Sequence, residues 1–311
     1  MSDSDSEYDG AEAFIKERSM VRRFGKPFST DIEDKAEYSK YEPLLTQVHN
    51  GGSQLLTTCL GYQNTLEGQM GMVDYGDGGG IQAVTALHNV VKRRNSSPRD
   101  TLCTFSGRRH NETFAVEFQN FGIPATKVEP LVLKIGDESI LWEYGVDITR
   151  GTFPDPTPFS SVQNYHVFQP VTQEYEYVVG TKVAMAIFTK QAATIESARF
   201  PRGLKKDVDL THVYGQPDEI SIYTGIITAV GEKFFVHDVN SHRGCSGALI
   251  FLLDGETAGM CVGVHIGSPV DIEPAVNLAI KIHESPTLIE SPLRELSTKE
   301  RATKMYFDQI S

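Results

Sequence analysis

Cysteine is scarce in this chain, and the few present are not paired by spacing. Four occur in 311 residues, at positions 59, 103, 245 and 261, with no CxxC pair and no metal-like pairing with histidine. That excludes a zinc ribbon and a disulfide-stapled miniature domain, and makes free thiols the expectation. His237 and His242 stand five apart, but no HExxH-like helix surrounds them, so the residues predict no metal and no organic cofactor. Long apolar runs are missing as well. None approaches the length of a membrane span, and the N-terminal Ser-Asp-Ser-Asp-Ser-Glu has none of the apolar character of a secretory signal. Positive charge is in deficit: 29 Lys and Arg face 41 Asp and Glu, a formal net charge of -12. A surface built to grip phosphate backbones needs the opposite balance, so no nucleic-acid partner is expected, and no membrane partner either. The cluster Lys92-Arg93-Arg94 reads as a solvated loop after a strand. These absences together point to a cytoplasmic location.

What is present is an ordinary globular composition, 40% apolar and 23% charged, with length enough for one large domain or two smaller ones. Residues 1–48 are polar and of mixed charge; Ala11 to Phe24 could form a helix with a thin apolar face, and the segment reads as an acidic, loosely docked extension. From Ser53 the pattern changes to short runs rich in Val, Ile, Thr, Phe and Tyr. Strands are expected at Leu55–Gly61, Gln82–Leu87, Thr101–Phe105, Thr113–Phe118 and Leu131–Ile135. The Pro-rich Gly151–Pro158 reads as an extended connector. A second set follows at Tyr177–Val179, Val183–Thr189, Ser221–Thr228, Lys233–Asp238, Ala248–Leu253 and Met260–Ile266. The division is therefore 1–48, a first β unit at 49–160, a second at 161–285, and a charged tail at 286–311 with a terminal helix over Pro292–Tyr306. An all-β chain in two halves, each a barrel or a sandwich, is the fold class.

Three short segments could carry chemistry. In Arg243-Gly244-Cys245-Ser246-Gly247-Ala248, glycines at -2 and +1 let the backbone turn sharply around a serine. The amides of Gly244 and Ser246 could then point at one spot, as an oxyanion hole requires. In Ala83-Val84-Thr85-Ala86-Leu87-His88-Asn89, an apolar strand ends in a histidine that can emerge beside a cleft and act as a base near neutral pH. In Tyr144-Gly145-Val146-Asp147-Ile148, an aspartate stands between apolar neighbours and is costly to bury unless a donor meets it. Each alone has a plain structural reading as a turn or a strand end. Their joint order is more telling: His88, then Asp147 after 59 residues, then Ser246 after 99 more, with the first two in one β half and the third in the other.

On these residues the sequence, from about Ser53 to Glu284, resembles the chymotrypsin-like serine protease superfamily. The resemblance implies two six-stranded antiparallel β-barrels. It implies that Ser246 attacks a peptide carbonyl, that His88 moves the proton and that Asp147 orients His88 and stabilises its charged form. The partner would be a peptide or protein substrate. There are departures: the family's Gly-Asp-Ser-Gly-Gly-Pro becomes Gly-Cys-Ser-Gly-Ala-Leu, and Thr-Ala-Ala-His-Cys becomes Thr-Ala-Leu-His-Asn. They fit a cytosolic or viral type, and leave open a catalytically inactive binding module on the same fold. Cys245 as nucleophile would need glycines where Arg243 and Ser246 stand, and an α/β-hydrolase would need the order serine, acid, histidine.

His265 follows Ser246 by nineteen residues in Gly263-Val264-His265-Ile266-Gly267-Ser268. This segment is similar to one in main proteases of positive-strand RNA viruses, including the serine-type enzymes of arteriviruses. There the histidine lines the pocket for a Glu or Gln side chain before the cut bond. A hydroxyl residue lies five before the nucleophile, the place of Ser241, and Asn240 stands where an aspartate would select Lys or Arg. Asn240, Ser241 and His265 are thus the expected substrate-binding set, and a viral-type or other intracellular processing role the expected setting, in a host cytoplasm if the source is viral.

Overall fold

The computed structural model describes residues 22–23, 41–59, 65–91, 103–109, 112–118, 128–135, 137–154, 166–188, 220–239, 241, 244–267 and 277–286. Its first elements are β1 (Arg22–Arg23), helix α1 (Glu42–Gly51), β2 (Ser53–Cys59), β3 (Thr65–Asp74), β4 (Ile81–Thr85), β5 (Cys103–Arg109) and β6 (Glu112–Phe118). Then come β7 (Leu131–Ile135), β8 (Glu138–Trp142), β9 (Thr149–Thr152), β10 (Lys182–Phe188) and β11 (Ile220–Val230). The last are β12 (Phe234–His237), β13 (Leu249–Leu252), β14 (Cys261–Gly267) and β15 (Asn277–Lys281).

Two rings of six antiparallel strands close. The first runs β2-β3-β4-β9-β6-β5 and returns to β2. The second runs β10-β13-β14-β15-β12-β11 and returns to β10, with β1 added beside β11. Closure leaves few backbone groups unpaired at strand edges, which is how a chain poor in helix satisfies its polar backbone. In β6 the burial alternates strictly: Phe114, Val116 and Phe118 are buried, while Thr113, Ala115 and Glu117 are exposed. That is a barrel wall with one face in the core and one in water. In β12 and β13 every residue is buried, because the second barrel is covered on its outside as well. Helix α1 places Tyr41, at its cap, and Val48 in the same apolar cluster as Phe235 and Phe251, and the β7–β8 hairpin adds Leu133.

The chain between β9 and β10 is the connector that ties the barrels together; Gly151 and Thr152, expected to belong to it, lie in β9 instead. Phe168 exchanges backbone hydrogen bonds with β3 (Phe168 N–H to Met72 O, 2.9 Å; Asp74 N–H to Phe168 O, 2.8 Å). One residue on, Gln169 accepts from Cys261 N–H of β14 at 2.8 Å. The Phe168 ring packs on Phe251 with centroids 4.1 Å apart.

Most expected strands form, with ends shifted by a few residues. Tyr177–Val179 is not a strand: Val178 and Val179 are exposed and Gly180 turns the chain into β10. Helix α1 crosses the boundary expected after residue 48, its start favoured by Pro43 in the first turn. Within Ala11–Phe24, Arg22 and Arg23 form β1 rather than helix. The rest of that segment, the Lys92-Arg93-Arg94 cluster and the terminal helix over Pro292–Tyr306 lie outside the described residues.

Candidate active site

His88 sits in a short 3-10 turn, Leu87–Asn89, directly after β4. The turn caps the barrel strand and presents the imidazole at its end; Leu87 and Asn89 on either side are buried. Asp147 lies just before β9, in a tight turn closed by the Ile148 N–H bonding the Val146 carbonyl at 2.9 Å. Its flanking Val146 and Ile148 belong to the apolar cluster of the second barrel, which removes the carboxylate wholly from water.

Such burial is tolerable for a carboxylate only if donors converge on it. They do. His88 Nδ1 lies 2.6 Å from Asp147 Oδ2, the His88 backbone N–H donates to Oδ1 at 2.9 Å, and Trp142 Nε1 donates to Oδ2 at 3.0 Å. The aspartate thereby fixes the ring orientation and directs Nδ1–H inward, leaving Nε2 on the outer side. The Tyr144 ring flanks the imidazole at 5.2 Å. His88 itself keeps 17% side-chain exposure, enough to be reached from the cleft.

Ser246 lies in the loop between β12 and β13. Gly244 and Gly247 both take positive φ, 97° and 93°. At Gly247 any side chain is excluded, since a Cβ would come within 2.0 Å of the Gln69 carbonyl oxygen. The loop is anchored to its own barrel by Gly247 N–H to His265 O at 2.8 Å and Ala248 N–H to Cys245 O at 3.0 Å. Asn89, the residue beside His88, donates through Nδ2 to the Ser246 carbonyl at 3.0 Å. The barrels thus bring the turn of His88 and the loop of Ser246 into contact. The Ser246 hydroxyl donates to the Ile266 carbonyl at 3.4 Å, and no hydrogen bond joins it to His88 among the described residues.

The three expected pocket residues fare differently. His265, on β14, is fully buried, and its Nδ1 lies 3.2 Å from Nε2 of His237 on β12. Ser241 Oγ donates to Asn277 Oδ1 at 2.6 Å, and Asn277 Nδ2 donates to the Val239 carbonyl at 2.7 Å. The hydroxyl proton of Ser241 is therefore turned toward β15 and not toward His265. Asn240 lies outside the described residues. Burial pushes the His237 imidazole far down, to about 3, so that ring is neutral. Its Nδ1 is buried with no hydrogen-bond partner among the described residues.

Four residues went unanticipated: Trp142, Gln69, Asn89 and His237. The one tryptophan of the chain, five residues before Asp147, was the available signal for the first. Asn89 stands where the family's histidine is followed by cysteine. Nothing local marks Gln69 or His237. Among the described residues no group of three or more His, Cys, Asp and Glu side chains could hold a metal, and no helix is long and apolar enough to cross a membrane.

No protein-family model and no curated protein sequence matches the chain. Among solved structures it is similar to the protease Anisep from Arthrobacter nicotinovorans, at 8% identity and a TM-score of 0.44 over 76% of this chain and 91% of that one. The fold stands on the strand pairings themselves: all-β, with two closed six-stranded antiparallel barrels.

Proposed function

We propose that the chain is a serine endopeptidase with Ser246 as nucleophile, His88 as general base and Asp147 as the group that orients it. The observation that carries this reading is the His88–Asp147 pair: a fully buried carboxylate held by three donors, two of them from His88. A structural aspartate needs donors, but it does not need a partly exposed imidazole beside a serine loop. In the reaction His88 Nε2 takes the Ser246 proton as Oγ attacks the scissile carbonyl carbon. Asp147 stabilises the imidazolium, and the Gly244 and Ser246 amides receive the oxyanion. The imidazolium then protonates the leaving amine, and water repeats the cycle on the acyl-enzyme. In the resting geometry the hydroxyl rests on Ile266, so the attack requires it to leave that carbonyl and turn toward His88.

The pocket reading follows from proton bookkeeping. An orphan lone pair is cheaper to bury than an orphan N–H, so the neutral His237 carries its proton on Nε2 and donates to His265 Nδ1. The ring proton of His265 is then on Nε2, a donor. Ser241, with its proton given to Asn277, offers lone pairs. A pocket that brought this donor and the Ser241 lone pairs to one side chain would match the primary amide of glutamine better than the carboxylate of glutamate. The proposed setting is a processing protease of viral or other intracellular type, cutting after Gln and more slowly after Glu.

The contact from Ser246 to Ile266 also favours a second reading, a binding module on the same fold that no longer cleaves. Labelling with a fluorophosphonate separates the two. The wild type should label and Ser246→Ala should not; a wild type that stays unlabelled, where a known serine protease reacts, favours the binding module. Peptide-library cleavage tests the pocket, and equal cutting after Gln, Glu and Leu removes it.

A further inference from the structure

Every carbonyl from Gly244 to Ser246 is bonded, and two of the three are held from the other barrel. Gln69, buried on β3, donates its side-chain Nε2 to the Gly244 carbonyl at 3.0 Å and its backbone N–H to the Ser246 carbonyl at 2.8 Å. Asn89 donates to the same Ser246 carbonyl at 3.0 Å, filling its second lone pair. Thr85 completes the circuit, giving its hydroxyl proton to the Gln69 carbonyl at 2.7 Å and accepting from Asn89 Nδ2 at 3.0 Å. The Cys245 carbonyl between them takes Ala248 N–H. A peptide plane is rigid, so fixing its carbonyl fixes its amide. With the planes after Gly244 and after Ser246 held, the Cα atoms of Cys245 and Ser246 stay in place, and the plane between them cannot turn the Ser246 N–H away without breaking its own carbonyl's bond from Ala248 N–H. The Gly244 and Ser246 amides themselves donate to no group among the described residues.

We propose that Gln69 is a positioning residue that clamps the nucleophile loop from the first barrel, so that the place of the Ser246 amide is set by the docking of the two barrels. Resting on the serine-endopeptidase reading, the proposal adds a residue that touches no reacting atom. It needs no charged anchor within the loop. Both of its bonds to the loop come from one residue, which makes the loop sensitive to the inter-barrel fit.

The test replaces Gln69 by methionine, of similar length and without the donor. Hydrogen exchange of the Gly247 and Ala248 amides, which are bonded in the resting loop, reads the clamp whether or not the protein cleaves anything. Exchange there should quicken at least about tenfold while β13 and β14 amides keep their protection, since one local anchor and not the barrel is lost. Unchanged exchange overturns the proposal. The second readout is chemical: fluorophosphonate labelling and peptide kcat should fall about 10- to 100-fold, less than the loss of a whole oxyanion donor, with KM within about twofold. A rise in KM with kcat unchanged, or a loss of protection spread evenly over the second barrel, marks Gln69 as ordinary packing and also overturns it. If the wild type does not label yet Gln69→Met frees the loop, the clamp stands and the endopeptidase reading falls. Should Gln69→Met not fold, Asn89→Leu removes the other side-chain anchor and should move the same amides in the same direction; unchanged exchange there overturns the clamp.

Discussion

The two barrels have the same strand count and different surroundings. In the first, β6 is a single wall, with Phe114, Val116 and Phe118 inside and Thr113, Ala115 and Glu117 in water, and burial on both faces is confined to strands such as β3, buried throughout from Gly68 to Val73 where it meets the second barrel. The second is wrapped by helix α1, the β7–β8 hairpin and the connector, so β12 and β13 are buried on both faces. The lesson is about where each half of the site can be built. The Asp147 carboxylate occupies a water-free place, where the first barrel's Val146-Asp147-Ile148 presses into the second barrel's cluster. The imidazole needs partial exposure, and the open barrel provides it at the end of β4.

The largest expected effect tests that division at the acid. On the proposed endopeptidase reading, Asp147→Asn keeps the shape but gives His88 the wrong tautomer, and kcat for peptide hydrolysis should drop about 10⁴-fold. Because the substitution also removes a buried charge, thermal unfolding should show little loss; a collapse of stability would make Asp147 a structural pillar between the barrels instead. The second prediction compares cores. Phe251→Ala in the wrapped barrel should cost about 3–5 kcal/mol in urea unfolding, and Phe118→Ala in the open one less, because its site has an outer face free to relax. Equal costs would end the comparison.

The smallest effect concerns pH. Burial holds the folded His237 pKa near 3, against about 6.5 in an unfolded chain. Between those values the unfolded state binds a proton that the native state declines, so stability is full above about pH 6.5 and falls as pH drops. His237→Phe should remove this contribution and flatten the acid limb by up to about 1.4 kcal/mol per pH unit. Urea midpoints at pH 7 and pH 5 measure it, and an unchanged slope would place the titration elsewhere.

Much of the fold was legible because strand periodicity is local. Leu131–Ile135 forms as a strand at its expected ends, and Thr113–Phe118 falls within β6. Of the strands that escaped notice, β3 carries Gly68 and Gly71 and β9 is only four residues long, with Gly151 inside it, whereas β8 and β15 were passed over without such a break. Helix α1 hid in a polar stretch because its burial comes from a distant barrel. At the site, motif and order singled out His88, Asp147 and Ser246, but Trp142 and Gln69 act on groups that the sequence spacing does not reveal; Gln69 and Gly244 are 175 positions apart.

Residue type and order alone determined that this chain alternates in strands, divides into two β halves, and carries a serine between glycines, a histidine after a strand and an aspartate among apolar neighbours. Only the tertiary structure decided which donors meet the buried carboxylate, which way the hydroxyls of Ser241 and Ser246 turn, and what holds the serine loop. The reason is that a strand's periodicity is written within a few residues, whereas a hydrogen bond across two barrels depends on both having closed and docked.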